Sequence, residues 1–135
     1  MKLAWSAVLA VIWMVLAVPA VAHHSYTVDY DDSKPIKIKG VVTKVEWTNP
    51  HPQVYLDVTD ANGKVTNWNF QLTGNRSSLT RLGWNGKTLK VGDVVTMEGL
   101  HARLDVPRGI AKAVILANGK SLFGGDAADS PAPGR

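Results

Sequence analysis

Cysteine is absent from this chain of 135 residues. Its absence excludes disulfides, thiolate nucleophiles, cysteine-ligated zinc and iron–sulfur clusters. Glutamate is scarce, with Glu46 and Glu98 as the only examples. A glycosidase built on paired carboxylates would therefore need an aspartate partner, and no spacing nominates one. Any metal site must use histidine, carboxylate, methionine or backbone ligands.

The common catalytic motifs are also missing. The sequence contains no Gly-x-Ser-x-Gly elbow and no His-Glu-x-x-His helix. Gly86–Thr88 is like the end of a phosphate-binding loop, but Arg81 stands where that loop needs its first glycine. The formal net charge of +4 is too small to indicate a polyanion-binding protein. We therefore expect a binding protein, not an enzyme, with no nucleic-acid partner.

Residues 1–22 have the features of a secretory signal peptide. Lys2 precedes an almost wholly apolar run from Val8 to Val18, and Ala20–Ala22 has the small-x-small pattern of a cleavage site. An exported domain of this size without cysteine is typical of the bacterial envelope. We predict cleavage after Ala22, a periplasmic or secreted product and no stable membrane span. The alternative is a retained anchor, because about 18 apolar residues are marginal for a span.

The remaining pattern predicts an all-β domain over residues 23–123, followed by a disordered tail at 124–135. Alternation between Ile36 and Trp47 changes parity at Gly40, which indicates a bulge in a long strand. Asn-Gly pairs at Asn62 and Asn118 predict hairpin turns. Further strands are predicted at 54–59, 67–72, 94–100, 110–116 and 121–123.

One short helix is predicted over Asn75–Leu82, with Asn75 or Ser77 as its N-cap and Gly83 at its end. The order of three strands, a helix and further strands is that of a small β-barrel of the oligonucleotide/oligosaccharide-binding (OB) type, with five or six strands. A β-sandwich is the main alternative architecture.

Histidines at the predicted mature terminus suggest a metal site. Cleavage after Ala22 would place a free amine on His23, and that amine and the ring of His23 could chelate one metal ion. His24 or His51 would supply a further nitrogen, in the square-planar or T-shaped geometry that copper(II) prefers. Cleavage after Ala20 would instead give an amine, two amides and the His23 ring, which suit copper or nickel.

Other residues bear on this copper hypothesis. Asp29–Asp32 could add an oxygen ligand or orient a histidine. His101, near a strand end, is a weaker candidate ligand. The alternatives are a mobile terminus that binds metal only adventitiously and a His51 that is hydrogen-bonded to the backbone.

A metal-independent alternative uses aromatic side chains. Trp47, Tyr55 and Trp68 could form a barrel face that binds a small ligand or an envelope protein partner. Tyr55 has the opposite parity from Val54 and Leu56, so we expect it to face outward. Trp47 could instead close the end of the barrel.

Several segments together resemble a family of small exported bacterial proteins of unknown function. The resemblance is carried by the His-His-Ser-aromatic segment His23–Tyr26, the motif Glu46–His51 (EWTNPH), Arg81–Trp84 and Leu89–Val95. It spans roughly residues 22–123 and implies a compact β-rich envelope domain. It implies no activity and no catalytic residue.

Overall fold

The computed structural model describes residues 29–125. Within this range the mostly antiparallel sheet and single short helix confirm the expected β-rich domain. The predicted signal peptide, His23, His24 and the tail beyond Gly125 lie outside the described residues. Residues 29–125 form no helix with the length and hydropathy of a membrane span. The elements are β1 (Tyr30–Glu46), β2 (Gln53–Thr59), β3 (Val65–Leu72), α1 (Arg76–Arg81), β4 (Val94–Ala102), β5 (Arg108–Leu116) and β6 (Ser121–Phe123).

The strands follow the order β3-β2-β1-β4-β5-β6, and each neighbouring pair is antiparallel. One further pairing is parallel and joins β3 to β5, from Asn69 opposite Arg108 to Leu72 opposite Ala111. β1, β2, β3, β5 and β4 therefore form a closed circuit of pairings in which each strand has two partners. β6 pairs with β5 beyond the end of this parallel contact.

β1 is long enough to serve two neighbours. Its residues up to Val41 pair with β4, and those from Val41 onward pair with β2. Gly40 lies at this junction, where an added Cβ would stand 2.8 Å from the carbonyl oxygen of Asp57. The register shift against β2 falls between Val42 and Lys44, not at Gly40 as the parity change predicted. The alternation of inward and outward side chains continues through Gly40, because Val42 is fully buried whereas Val41 is 42% exposed.

The predicted turns and the predicted helix are confirmed. Gly63 and Gly119 adopt positive φ values of 80° and 84° in the turns that lead into β3 and β6, a conformation that glycine reaches without steric cost. Asn75 caps α1, because its side-chain oxygen accepts a hydrogen bond from the backbone N–H of Ser78 at 2.9 Å. Gly83, with φ at 90°, follows the last turn.

The core lies between the inward faces of the strands and is covered at one end by α1 and the segment after it. Alternate residues of each strand point into it, as the period of two requires. The last packed residue of the described range is Gly125, and the backbone of Gly124 is hydrogen-bonded to Gly74 and Lys112. The buried cluster comprises Val42, Val54, Leu56, Phe70, Leu72, Leu79, Trp84, Leu89, Val95, Met97, Ala111 and Val114.

We predict that Gly99→Ala destabilises the domain by about 2 kcal/mol or more, because an added Cβ would lie 1.8 Å from the backbone oxygen of Ile110 and the two strands would have to separate. Gly86→Ala is the matched control, since its nearest neighbours, atoms of Trp47, are at 3.5 Å. Urea unfolding followed by tryptophan fluorescence measures both variants. Equal midpoints for the two would contradict the prediction.

Candidate ligand-binding face

The outward side chains of β2 and β3 form a polar surface that extends onto the end of β1. Directly opposed pairs across β2 and β3 include Gln53 with Gln71, and Tyr55 with Asn69. On the other side of β2, Lys44 lies opposite Tyr55. We call this surface the amide face, and it comprises Lys44, Glu46, Gln53, Tyr55, Asp57, Asn67, Asn69 and Gln71.

Tyr55 is held in the middle of the amide face by two charged residues of β1. Its hydroxyl donates a hydrogen bond to Glu46 Oε2 at 3.1 Å. Lys44 Nζ lies 2.5 Å from Glu46 Oε1 and 5.1 Å from the centroid of the Tyr55 ring. The phenol therefore has one fixed orientation. Hydrogen bonds from Lys44 and from Tyr55 lower the pKa of Glu46, and the bond to Glu46 raises the pKa of Lys44.

A second set of hydrogen bonds ties the same three strands together. The Asn67 amide nitrogen donates to Asp57 Oδ1 at 2.8 Å and to Thr43 Oγ1 at 3.1 Å. Thr43 Oγ1 in turn donates to the backbone oxygen of Tyr55 at 3.3 Å. Thr43 stands at the register shift of β1, so the bulge brings its hydroxyl within reach of both neighbouring strands.

Gln53 contributes an unused acceptor. Its side-chain oxygen Oε1 is buried and has no hydrogen-bond partner within residues 29–125. Buried polar atoms in proteins are almost always paired, so an unpaired one needs an explanation. A carboxamide also carries donors, so the amide face can both donate to and accept from a ligand.

The structure does not bring the three predicted aromatic residues onto one face. Trp68 points inward, where it stacks on Phe70 with a centroid distance of 5.8 Å. Trp47 follows β1, packs against the core and lines a small closed gap with Trp84. Only Tyr55 of the predicted set lies on the amide face. The carboxamides of Asn67, Asn69 and Gln71 were absent from that set, although their alternation with inward-facing residues was visible in the sequence.

His51 lies in the loop between β1 and β2 and is half-buried. Its ring nitrogen Nδ1 is 3.2 Å from the backbone oxygen of Gly74. No hydrogen bond to Nε2 is found within the part of the chain that is described. His101 has different contacts. Its ring packs in a T-shaped arrangement with Trp68, with 5.4 Å between the ring centroids, and its Nδ1 lies 2.6 Å from the Ala102 oxygen.

Metal-binding side chains do not cluster in the described range. Between Asp29 and Gly125, no group of three or more histidine, aspartate or glutamate residues is placed to hold a metal ion. Of His23, His24 and His51, only His51 falls within this range, together with the weaker candidates His101 and Asp29–Asp32.

We predict that Lys44→Gln raises the pKa of Glu46, because it removes the hydrogen bond that contributes most to lowering it. Side-chain carbon chemical shifts followed against pH by NMR measure the effect, and Lys39→Gln on the same strand is the control. The folded-state pKa of Glu46 is depressed. The stabilisation from this contact is therefore present above the unfolded-state pKa and is lost as pH falls through the folded-state value. An unchanged Glu46 titration in Lys44→Gln would refute the assignment.

A family model described as a family of unknown function (DUF6152) matches residues 11–111, which is most of the chain and includes β1 to β4. Comparison with curated proteins gives no significant match.

Proposed function

Because the chain belongs to this family of unknown function, we propose its role from the geometry alone. It is an envelope binding protein without catalytic activity, and its amide face takes up a neutral ligand rich in hydroxyl groups, such as a saccharide. The observation that carries the proposal is the fixed Tyr55 ring among carboxamides, next to the unpaired oxygen of Gln53.

The chemistry of the amide face suits hydroxyl groups. A sugar hydroxyl both donates and accepts, and so do the carboxamides of Gln53, Gln71 and Asn69. If the Gln53 side chain turns toward the ligand, a ligand hydroxyl can donate a hydrogen bond to Oε1, which is otherwise buried without a partner. The face of the Tyr55 ring offers apolar contact for the carbon skeleton of a sugar. The opposite charges of Lys44 and Glu46 satisfy each other, so a charged ligand is not required.

The proposal includes the finer fold. The closed circuit β1-β2-β3-β5-β4, with α1 between β3 and β4, supports a closed barrel of the OB type. In that fold the second and third strands and the loops beside them bind oligosaccharides and oligonucleotides. The amide face lies on these two strands. A nucleic acid is the less suitable ligand, because the face offers Lys44 as its single cation.

Export is part of the same proposal. Lys2, the apolar run from Val8 to Val18 and the small residues Ala20–Ala22 support a signal peptide cleaved after Ala22, and a periplasmic or secreted product. An envelope location would place the amide face among glycans and other envelope proteins.

A second candidate function, copper binding, is favoured by the bonding of His51. A metal-bound histidine usually uses one ring nitrogen for the metal and the other for a hydrogen bond that fixes the ring. His51 has such a bond from Nδ1 to Gly74, which leaves Nε2 for a metal. The His23 amine and ring, with His24 and the acidic segment Asp29–Asp32, would complete a nitrogen-rich site suited to copper(II).

We predict that the mature protein binds neutral oligosaccharides and that Tyr55→Ala weakens this binding at least about tenfold, since the variant removes the stacking surface and the hydroxyl. Amide chemical shifts are followed by NMR during titration with tetramers of N-acetylglucosamine, glucose and mannose. Thr96→Ala, on β4, is the control. Absence of shifts in the wild type, or equal affinities of Tyr55→Ala and the control, would defeat the proposal.

For copper, we expect tight binding of copper(II) with proton release, and a loss of at least about tenfold in affinity in both His23→Ala and His51→Ala. Intact mass of the exported protein first establishes whether His23 is the N-terminal residue. His101→Ala serves as the control because its ring is engaged with Trp68. The copper hypothesis fails if all three variants bind like the wild type.

A further inference from the structure

A separate cavity of about 370 Å³ lies where β1 begins, beside the loop that joins β4 to β5. It shares no residue with the amide face. Tyr30, Asp29 and Arg108 contribute to its lining, together with Leu104 and Val106 of the loop. The cavity therefore combines a phenol, charges of both signs and apolar side chains.

The first observation that points to a ligand is the surroundings of the Tyr30 hydroxyl. Tyr30 is 1% exposed, its hydroxyl oxygen is buried, and no group in the described chain accepts a hydrogen bond from that hydroxyl. Burial raises the pKa of this phenol, and the positive charge of Arg108 opposes the rise. The hydroxyl is therefore a neutral donor at physiological pH. A buried donor without an acceptor is a rare and costly feature in a folded protein.

Arg108 supplies a positive charge at the same place. Its guanidinium carbon lies 6.0 Å from the centroid of the Tyr30 ring, so the aromatic face holds the cation. The charge of this group and its donor N–H next to the phenol oxygen both lower the pKa of Tyr30, but a guanidinium cannot accept the proton of the Tyr30 hydroxyl. None of the ion pairs found within residues 29–125 involves Arg108. Its planar set of donors matches a carboxylate, which can accept two parallel hydrogen bonds.

The loop adds apolar side chains that are exposed within the described range, 29–125. Leu104 is 74% exposed and Val106 is 41% exposed, and both line the cavity. Large apolar side chains next to a charged group are typical of pockets that bind amphiphilic small molecules. Asp29 and Arg103 also line the cavity, so its charged side chains are two cations and one anion, and their sum matches a ligand with a single negative charge.

We propose that this cavity binds a small monoanionic carboxylate with an apolar body. The carboxylate accepts hydrogen bonds from Arg108 and from the Tyr30 hydroxyl, and the apolar body packs against Leu104 and Val106. The proposal does not depend on the function assigned to the amide face, because the two sites share no residue and bind ligands of different charge.

The test uses phenylacetate as the probe, with phenylacetamide as its uncharged analogue and phenyl phosphate as its dianionic analogue. Calorimetry and NMR titration of the mature protein should show phenylacetate binding at least about tenfold more tightly than either analogue. Equal binding of phenylacetate and phenylacetamide, or no binding of phenylacetate, would overturn the proposal. Preference for phenyl phosphate would replace the carboxylate with a phosphate ligand and would also overturn it.

Substitutions at Arg108 and Tyr30 test whether these side chains bind phenylacetate. Arg108→Gln should weaken phenylacetate binding at least about tenfold, whereas Arg81→Gln, on the exposed side of α1, should not. Tyr30→Phe should weaken binding about tenfold and at the same time raise the urea midpoint of unfolding, because it removes a buried hydroxyl whose proton has no acceptor in the described chain. A purely structural Tyr30 would leave phenylacetate affinity unchanged.

Leu104→Ser tests the binding site even if the other variants fold poorly, because Leu104 is exposed and contributes little to the core. It should weaken phenylacetate binding while it leaves the unfolding midpoint near that of the wild type. Wild-type affinity in Leu104→Ser and in Tyr30→Phe together would exclude the cavity as the binding site.

Discussion

The architecture depends on β1 bonding to two different strands along its length. β4 occupies its first part and β2 its last part, and Gly40 stands at the junction. A side chain at Gly40 would collide with the backbone of β2 at Asp57, so the absence of a Cβ is what allows the two pairings to meet. The bulge at Thr43 then turns the last residues of β1 so that Glu46 faces outward beside Tyr55.

The strands on either side of β5 also approach it closely at two glycines. A Cβ on Gly99 of β4 would meet the Ile110 carbonyl, and in the parallel contact between β3 and β5 a Cβ on Gly109 would lie 2.7 Å from the Phe70 ring. This contact places Arg108 opposite Asn69, so β5 begins beside the amide face, and Arg108 reaches the ring of Tyr30. The positions of both proposed binding sites therefore depend on a few glycines at which neighbouring strands come close together.

Features of the fold that depend on neighbouring residues in the chain can be predicted from the sequence, whereas contacts between segments far apart in the chain cannot. The capping of α1 by Asn75 and the turns at Gly63 and Gly119 follow from short-range preferences, which the chain obeys. The position of the bulge did not follow, because Gly40 is required by the neighbouring strand and not by its own pairing with β4. The parallel β3–β5 contact joins segments far apart in sequence and leaves no local pattern.

The same distinction between local and long-range features applies to the site residues. The outward direction of Tyr55 follows from alternation in β2, and the structure agrees. Trp47 and Trp68 were grouped with it because large aromatics often bind ligands, but both contribute to packing inside the domain. The bonds from Tyr55 to Glu46 and from Asn67 to Thr43 depend on the register of three strands, which composition and periodicity do not determine.

The amide face differs from the rest of the outer surface in a way that solubility does not explain. Between β1 and β4 the outward residues Lys37 and Glu98 pair as ions at 2.7 Å, and charged side chains are the usual means of keeping a sheet soluble. On β3 the outward positions carry Asn67, Asn69 and Gln71 instead. Carboxamides add no charge, and asparagine is disfavoured in strands. Their concentration around a phenol that two charged residues hold in place is therefore better explained by recognition of a ligand than by solvation.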